Sequence, residues 1–182
     1  MHHHELQCSC CTQMPAVLDR RNFLVTALAG SALTLLQSQP ALAAYGEYEA
    51  MILACIDPRF QEPVHAYAQK RGLIGKYSQF VIAGAAIGVV APAFKDWHKA
   101  FWDNLAITID LHKIKKVIAI DHRDCGAARV AYGKEKVANP QIETETHRAA
   151  LAQFRAEVKR HQSNLGCETG LMALDGSIQM FT

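Results

Sequence analysis

The sequence predicts an α/β fold, a single domain whose mainly parallel central sheet is flanked by helices. Two short apolar runs, residues 50–56 and 116–120, are typical of parallel strands that are covered on both faces. Between them lies a long segment, residues 93–112, whose apolar side chains recur at helical spacing at Phe94, Trp97, Phe101, Leu105 and Ile109. Because strand patterns alternate with helix patterns along the chain, parallel βαβ units are expected.

The remaining elements follow from the same alternation, with glycine and proline residues separating them. Strands are predicted over residues 50–56, 79–82, 116–120 and 168–174. Helices are predicted over residues 62–71, 93–112, 127–132 and 143–162. The Gly/Ala-rich segment 83–88 and the dipeptide Asn139-Pro140 are predicted to be loops.

Length and composition favour one packed domain with an appendage. The chain has 182 residues, of which 50% are apolar and 20% charged, so global disorder is excluded. The net charge is +2 and no dense Lys/Arg stripe interleaved with aromatic residues occurs, so no nucleic-acid partner is expected. No apolar run reaches the roughly 18 residues of a membrane span, so no membrane association is expected once the N-terminal segment is removed.

The N-terminal segment has the three-part pattern of an export signal. Paired Arg20 and Arg21 precede an apolar, small-residue stretch over residues 23–36, and residues 41–43 (Ala-Leu-Ala) form a small-x-small cleavage site. The arginine pair followed by Phe-Leu is typical of the twin-arginine type. The alternative is an amphipathic helix of the fold, which is disfavoured because apolar residues lie on all faces of the stretch.

We therefore predict an export signal over residues 1–43 and a mature domain over residues 44–182, located in the periplasm or otherwise exported. Three cysteines would leave with the signal, namely Cys8, Cys10 and Cys11. The three that stay are Cys55, Cys125 and Cys167. An odd number does not indicate a disulfide framework, and in an oxidising compartment free thiols survive best when they are buried or bound to metal.

Two short motifs follow predicted strands. Cys55, Asp57 and Arg59 alternate after the first strand, and His122-x-x-Cys125 follows the third. Ligands of parallel sheets bind beyond the carboxyl ends of the strands, where both motifs lie. Cysteine and histidine are preferred zinc ligands, and a catalytic zinc site has three protein ligands and one open position for water. The sequence therefore predicts a zinc site formed by Cys55, His122 and Cys125.

Asp57 and Arg59 are predicted to act beside that site. In an extended segment Cys55, Asp57 and Arg59 can point the same way, and an arginine paired with an aspartate keeps the carboxylate ionised and oriented. Such a carboxylate can accept a hydrogen bond from a zinc-bound hydroxide. Without Arg59, Asp57 could swing onto the metal and close the site.

Cys-x-Asp-x-Arg followed by His-x-x-Cys-Gly resembles the β-class carbonic anhydrases, at Cys55, Asp57, Arg59, His122, Cys125 and Gly126. The resemblance spans most of the mature chain. It implies zinc-dependent, reversible hydration of CO2 to bicarbonate and a proton by a zinc-bound hydroxide, with the Asp57–Arg59 pair as the catalytic dyad. It also implies a β-carbonic-anhydrase-like fold and a homo-oligomer with a dimer as its basic unit.

One segment departs from the family pattern. Residues 81–88 read VIAGAAIG where the family usually has an Arg-Asn-Ala-Gly-Asn-like segment. Gly84 or Ala86 is expected to keep the close backbone approach to the metal, and Gly84 and Gly126 are the candidate residues of the substrate pocket. Because an apolar loop makes the pocket drier, carbonyl sulfide or carbon disulfide is an alternative substrate.

A catalytically silent zinc module is the other alternative, in which Cys167 or Asp57 supplies a fourth ligand. Taken alone, Cys55 and Cys167 read as buried cysteines. Five histidines fall on helical patterns and are predicted to lie at the surface, where one could shuttle protons: His65, His98, His112, His147 and His161.

Overall fold

A five-stranded sheet runs through residues 46–182, the part of the chain that the computed structural model describes. Its strands are β1 (Ala50–Ala54), β2 (Tyr77–Val81), β3 (Lys116–His122), β4 (Gly166–Met172) and β5 (Ile178–Phe181). The order across the sheet is β2-β1-β3-β4-β5. The pairings of β1 with β2, β1 with β3 and β3 with β4 are parallel, and β5 pairs antiparallel with β4. The predicted mainly parallel α/β fold is confirmed.

Helices connect and flank the strands. They are α1 (Gln61–Lys70), α2 (Ala86–Val90), α3 (Lys95–His112), α4 (Gly126–Tyr132) and α5 (Pro140–His161). Short 3₁₀ helices span Pro58–Phe60, Pro92–Phe94 and Lys134–Val137. The short α2 packs against both long helices, α3 and α5, and α5 packs on β3 and β4.

The core lies between the central strands and the long helices. Every residue of β1 is buried because this strand has a neighbour on each side and is covered on both faces. On the helical side, the ring of Phe101 lies 5.5 Å from the rings of both Phe80 and Phe154. Each fully buried side chain of this size contributes about 1.5–3 kcal/mol to folding, so these aromatic contacts fix α3 and α5 against the sheet.

The loop prediction holds at Asn139, which lies in a bend just before α5, and is wrong at Pro140, where α5 begins. The Asn139 side chain accepts hydrogen bonds from the amides of Gln141 and Ile142 at 3.1 and 3.0 Å, and thus acts as the N-cap. Pro140 takes the first helical position, where a missing N–H costs nothing.

The predictions for residues 83–88 and for the C-terminus are also incomplete. Part of the predicted loop is helical, since α2 begins at Ala86. The last predicted strand is shifted by two residues, and a further strand, β5, follows it. The outer strand β5 is short and mostly exposed or half-buried, which leaves a weak apolar pattern in the sequence.

The surface prediction for the helix histidines is wrong at His147, which is fully buried on α5. Among residues 46–182, no helix is long and apolar enough to cross a membrane. The predicted export signal, with Cys8, Cys10 and Cys11, lies outside the described residues.

Candidate metal centre

Three metal-binding side chains meet at the carboxyl ends of β1 and β3. Cys55 directly follows β1, His122 is the last residue of β3, and Cys125 immediately precedes α4. Because β1 and β3 are parallel neighbours, their carboxyl ends lie at the same edge of the sheet. One donor atom from each of the three residues lies within 4.8 Å of the other two, and all three residues are buried. The structure thus brings together the residues predicted to bind zinc.

The imidazole of His122 is oriented as a ligand. Its Nδ1 lies 2.8 Å from the carbonyl oxygen of Arg123, so Nδ1–H donates there and the lone pair is on Nε2. Nε2 is buried and has no hydrogen-bond partner among the described residues. Phe60 stacks on the ring with centroids 4.6 Å apart, which holds the ring plane.

The two thiols complete a donor set that suits zinc. Cys55 and Cys125 are only 4% and 3% exposed. A hydrogen bond from Cys125 is the main cause that lowers the pKa of Cys55, and the same bond raises the pKa of Cys125. Two soft sulfur donors and one imidazole nitrogen are the kind of donor set found in zinc sites, so the residues present fit a zinc ion.

Asp57 and Arg59 form a pair at the mouth of this cluster. Arg59 donates from its backbone N and its Nε to Asp57 Oδ1 at 2.9 and 3.0 Å, and from Nη2 to Oδ2 at 2.7 Å. The side-chain hydrogen bond from Arg59 is the main reason that the pKa of Asp57 falls to about 2. Asp57 is thus an ionised carboxylate with both oxygens held by Arg59.

Arg59 is itself held by the turn between β3 and α4. Its Nη1 donates to Asp124 Oδ2 at 2.7 Å, and Asp124 adopts a left-handed backbone conformation with φ of 56°. Glu143, at the start of α5, accepts from the Asp124 amide at 2.6 Å and pairs with Arg123 at 3.2 Å. The sequence analysis missed Glu143, whose only signal was its position one turn before His147 on the buried side of α5.

A cavity of about 660 Å³ opens beside the pair. Asp57, Arg59 and Gly126 line it together with two exposed cationic residues, Arg129 and Lys134. A side-chain Cβ at Gly126 would meet no atom within 4 Å, so this glycine leaves open space at the mouth.

Gly84 approaches the cluster from the other side. Its amide donates to Cys55 Sγ at 3.2 Å. With φ of +82° and a would-be Cβ only 3.0 Å from the Cβ of Ala127, the position favours glycine. The next residue, Ala85, is buried and has φ of 48° and ψ of −114°, a conformation that costs a non-glycine residue about 1–3 kcal/mol.

A second buried polar pair lies behind the cluster. His147 Nδ1 and Asp121 Oδ2 are 2.8 Å apart, and both side chains are fully buried. Burial raises the pKa of Asp121, and the hydrogen bond with His147 opposes that shift. The sequence analysis missed this pairing and placed His147 at the surface, although His147 lies four residues before Leu151 on the buried side of α5.

Comparison with known proteins identifies the family of the chain. Residues 46–167 match the model of a family described as "Putative carbonic anhydrase". An uncharacterized protein of Rickettsia bellii is 30% identical over 142 residues, which are 78% of this chain and 87% of that protein.

A solved structure shows the same fold at low sequence identity. The wild-type β-carbonic anhydrase CafD of Aspergillus fumigatus superposes with a TM-score of 0.50 and 10% identity, over 82% of this chain and 95% of that one. One of two tetrameric β-carbonic anhydrases from Sordaria macrospora gives a TM-score of 0.48 and 14% identity, over 88% and 95% of the chains. Because the family model covers more than half of the sequence, the chain belongs to this carbonic anhydrase family.

Proposed function

We propose that this protein is a zinc lyase that hydrates CO2 reversibly to bicarbonate and a proton. The observation that carries the proposal is the three-donor cluster of Cys55, His122 and Cys125 with the Asp57 carboxylate held beside it by Arg59. Catalytic zinc sites have three protein ligands, whereas structural sites have four. Family membership supports the same reaction.

The two thiolates and His122 Nε2 would hold the zinc ion, which would lower the pKa of a bound water to about 7 and so supply hydroxide at neutral pH. Asp57 then serves as a hydrogen-bond acceptor for the attacking hydroxyl group. Because Arg59 keeps the pKa of Asp57 near 2, the Asp57 carboxylate stays ionised and cannot donate a proton. The direction of that hydrogen bond is therefore fixed. Arg129 and Lys134 place positive charge in the cavity through which an anionic product would leave.

Hydrolysis of carbonyl sulfide or carbon disulfide is the second candidate. It is favoured by the apolar segment at Cys55, where Ala85, Ala86 and Ile87 are all fully buried. Apolar surroundings of the Cys55 sulfur favour a substrate that is more hydrophobic than CO2. Sulfide release from carbonyl sulfide, together with negligible CO2 hydration, would decide for this candidate.

A silent zinc module is less well supported. It needs a fourth ligand, yet both oxygens of Asp57 are engaged by Arg59 and Cys167 lies on β4, outside the cluster. X-ray absorption of the zinc-loaded protein would decide, since a carboxylate bound to zinc from acid to alkaline pH would favour the silent module.

Export to the periplasm and a homodimer as the basic unit are also proposed. The export proposal rests on Arg20, Arg21 and the apolar stretch that follows them. Replacing both arginines by lysine should keep the protein in the cytoplasm of a host with a twin-arginine system, as judged by cell fractionation.

Analytical ultracentrifugation of the purified protein tests the dimer, and a monomer at all concentrations would contradict it.

Stopped-flow CO2 hydration by the zinc-loaded full-length protein tests the central proposal. Wild type should turn over quickly, Asp57→Ala should lose that activity while keeping its zinc, and Asp103→Ala, an exposed position on α3, should match wild type. A wild-type protein with full zinc and no CO2 hydration would overturn it.

A further inference from the structure

The buried pair of Asp121 and His147 takes no part in the reaction proposed above. A carboxylate without water around it is costly unless its oxygens are hydrogen-bonded. Here His147 Nδ1 binds one oxygen at 2.8 Å. His147 Nε2 has no hydrogen-bond partner among residues 46–182, so within that range the imidazole makes its polar contact to Asp121.

The second oxygen of Asp121 holds a strained turn. Asp121 Oδ1 accepts from the Ala86 amide at 3.0 Å. Ala86 follows Ala85, whose φ of 48° and ψ of −114° are those of the first central residue of a type II′ turn, and the Ile87 amide closes the turn on the Gly84 carbonyl at 2.9 Å. An alanine keeps such a conformation only where its surroundings enforce it, and the Asp121 hydrogen bond is one such constraint.

The same turn presents a backbone amide to one of the three candidate zinc ligands. The Gly84 amide, two residues before Ala86, donates to Cys55 Sγ at 3.2 Å. A hydrogen bond to a ligand sulfur orients the ligand and withdraws electron density from it, and such outer contacts tune the affinity of a site for its metal. If the turn relaxed at Ala85, the Gly84 amide would rotate away from the sulfur.

We propose that Asp121 and His147 are positioning residues of the metal centre, which hold the 84–86 turn so that the Gly84 amide stays bonded to Cys55 Sγ. The inference rests on the proposed zinc site for its functional meaning. His147 acts through Asp121, and Asp121 acts through the main chain of the turn.

Three substitutions at His147 separate this role from simple packing. In His147→Asn the side-chain amide takes the place of Nδ1 and can still donate to Asp121. In His147→Gln the amide falls nearer the position of Nε2, and His147→Leu has no donor. Leu151→Ala, one turn further along α5, is the matched control because it removes buried contacts without a hydrogen bond to Asp121.

Two readouts decide the matter in the full-length protein. In amide hydrogen exchange without metal, the Gly84 amide should exchange about tenfold faster in His147→Leu and His147→Gln than in the wild type. That factor corresponds to the loss of one hydrogen bond to a charged group. By competition with a chromogenic chelator, zinc affinity should fall about 10–100-fold in the same variants. His147→Asn should stay close to wild type, and Leu151→Ala should not change Gly84 selectively.

Unchanged Gly84 exchange and unchanged zinc affinity in His147→Gln would overturn the inference. Equal losses in His147→Asn and His147→Leu would overturn it too, since the Nδ1 donor would then be irrelevant. If wild type bound no zinc, the proposed function would fall, and the exchange rates, which need no metal, would still decide whether His147 positions the turn.

Discussion

Arg59 donates three hydrogen bonds to the carboxylate of Asp57, one from its backbone amide and two from its guanidinium, at 2.7–3.0 Å. The same guanidinium also binds Asp124 at 2.7 Å. The Asp57 carboxylate is therefore positioned by a side chain that is itself anchored to the turn between β3 and α4. This arrangement keeps Asp57 ionised and engages both of its carboxylate oxygens.

Replacing Arg59 by glutamine should raise the pKa of Asp57 from about 2 toward its ordinary value of 3.8. In the wild type the lowered pKa stabilises the fold at pH above about 4, and that contribution is lost as the pH falls through about 2. A carboxyl ¹³C titration by NMR measures the change. Asp175, whose pKa is lowered by Ser177 instead, should titrate identically in both proteins.

Asp57→Asn should reduce CO2 hydration by about 10²-fold or more, because an amide can present its N–H₂ to the nucleophile in place of an acceptor. Asp124→Asn should cost far less, since the three bonds from Arg59 to Asp57 remain. Stopped-flow rates at equal zinc content give the comparison. Equal losses in the two variants would mean that Asp57 has no special role.

Serine at Cys55 or Cys125 should abolish stoichiometric zinc binding, whereas Cys167→Ser should leave it unchanged because Cys167 is outside the cluster. Zinc at about 100 times its Kd should stabilise the wild type by about 2.7 kcal/mol, and a chelator should remove that gain. Metal analysis and thermal unfolding check both statements. A zinc-dependent Tm that survives in Cys55→Ser would contradict the assigned ligand set.

Gly84→Ala should destabilise the protein and weaken zinc binding. The positive φ costs about 1–2 kcal/mol, and the added Cβ lies 3.0 Å from Ala127 Cβ. Gly72→Ala is the matched control, with φ of +65° and no atom within 4 Å of the added Cβ, so it carries the backbone cost alone. Urea unfolding and a zinc competition assay measure the two effects, and equal zinc affinity in both variants would refute a role for Gly84 at the metal.

The meeting of Cys55 with His122 could be predicted from the sequence because parallel strands end at one edge of the sheet. No such rule predicted the buried pairing of Asp121 with His147. Buried acids and histidines are uncommon, so a histidine in a helical segment is predicted to lie at the surface unless its position relative to the apolar face of the helix is checked. His147 continues the buried stripe of Leu151, Phe154 and Val158, and that periodicity was the available signal.

Local patterns were also ambiguous at element ends. Asn139-Pro140 fits both a loop and a helix start, and only the hydrogen bonds that the Asn139 side chain accepts from the following amides decide between them. The alanines and glycines of residues 83–88 carry little periodic signal, so the change from turn to α2 at Ala86 depends on contacts distant in sequence, among them Asp121.

The parallel pairing of β1 with β3 also has a consequence for folding fidelity. The ladder ends near Leu53↔Ala119, and Cys55 and His122 follow within a few residues. A slip of one residue between the strands would turn alternate side chains to the opposite face of the sheet and separate the two ligands. An ion shared by Cys55 and His122 would therefore stabilise only chains in which β1 and β3 pair in the correct register. Zinc binding would thus select the correct strand register late in folding.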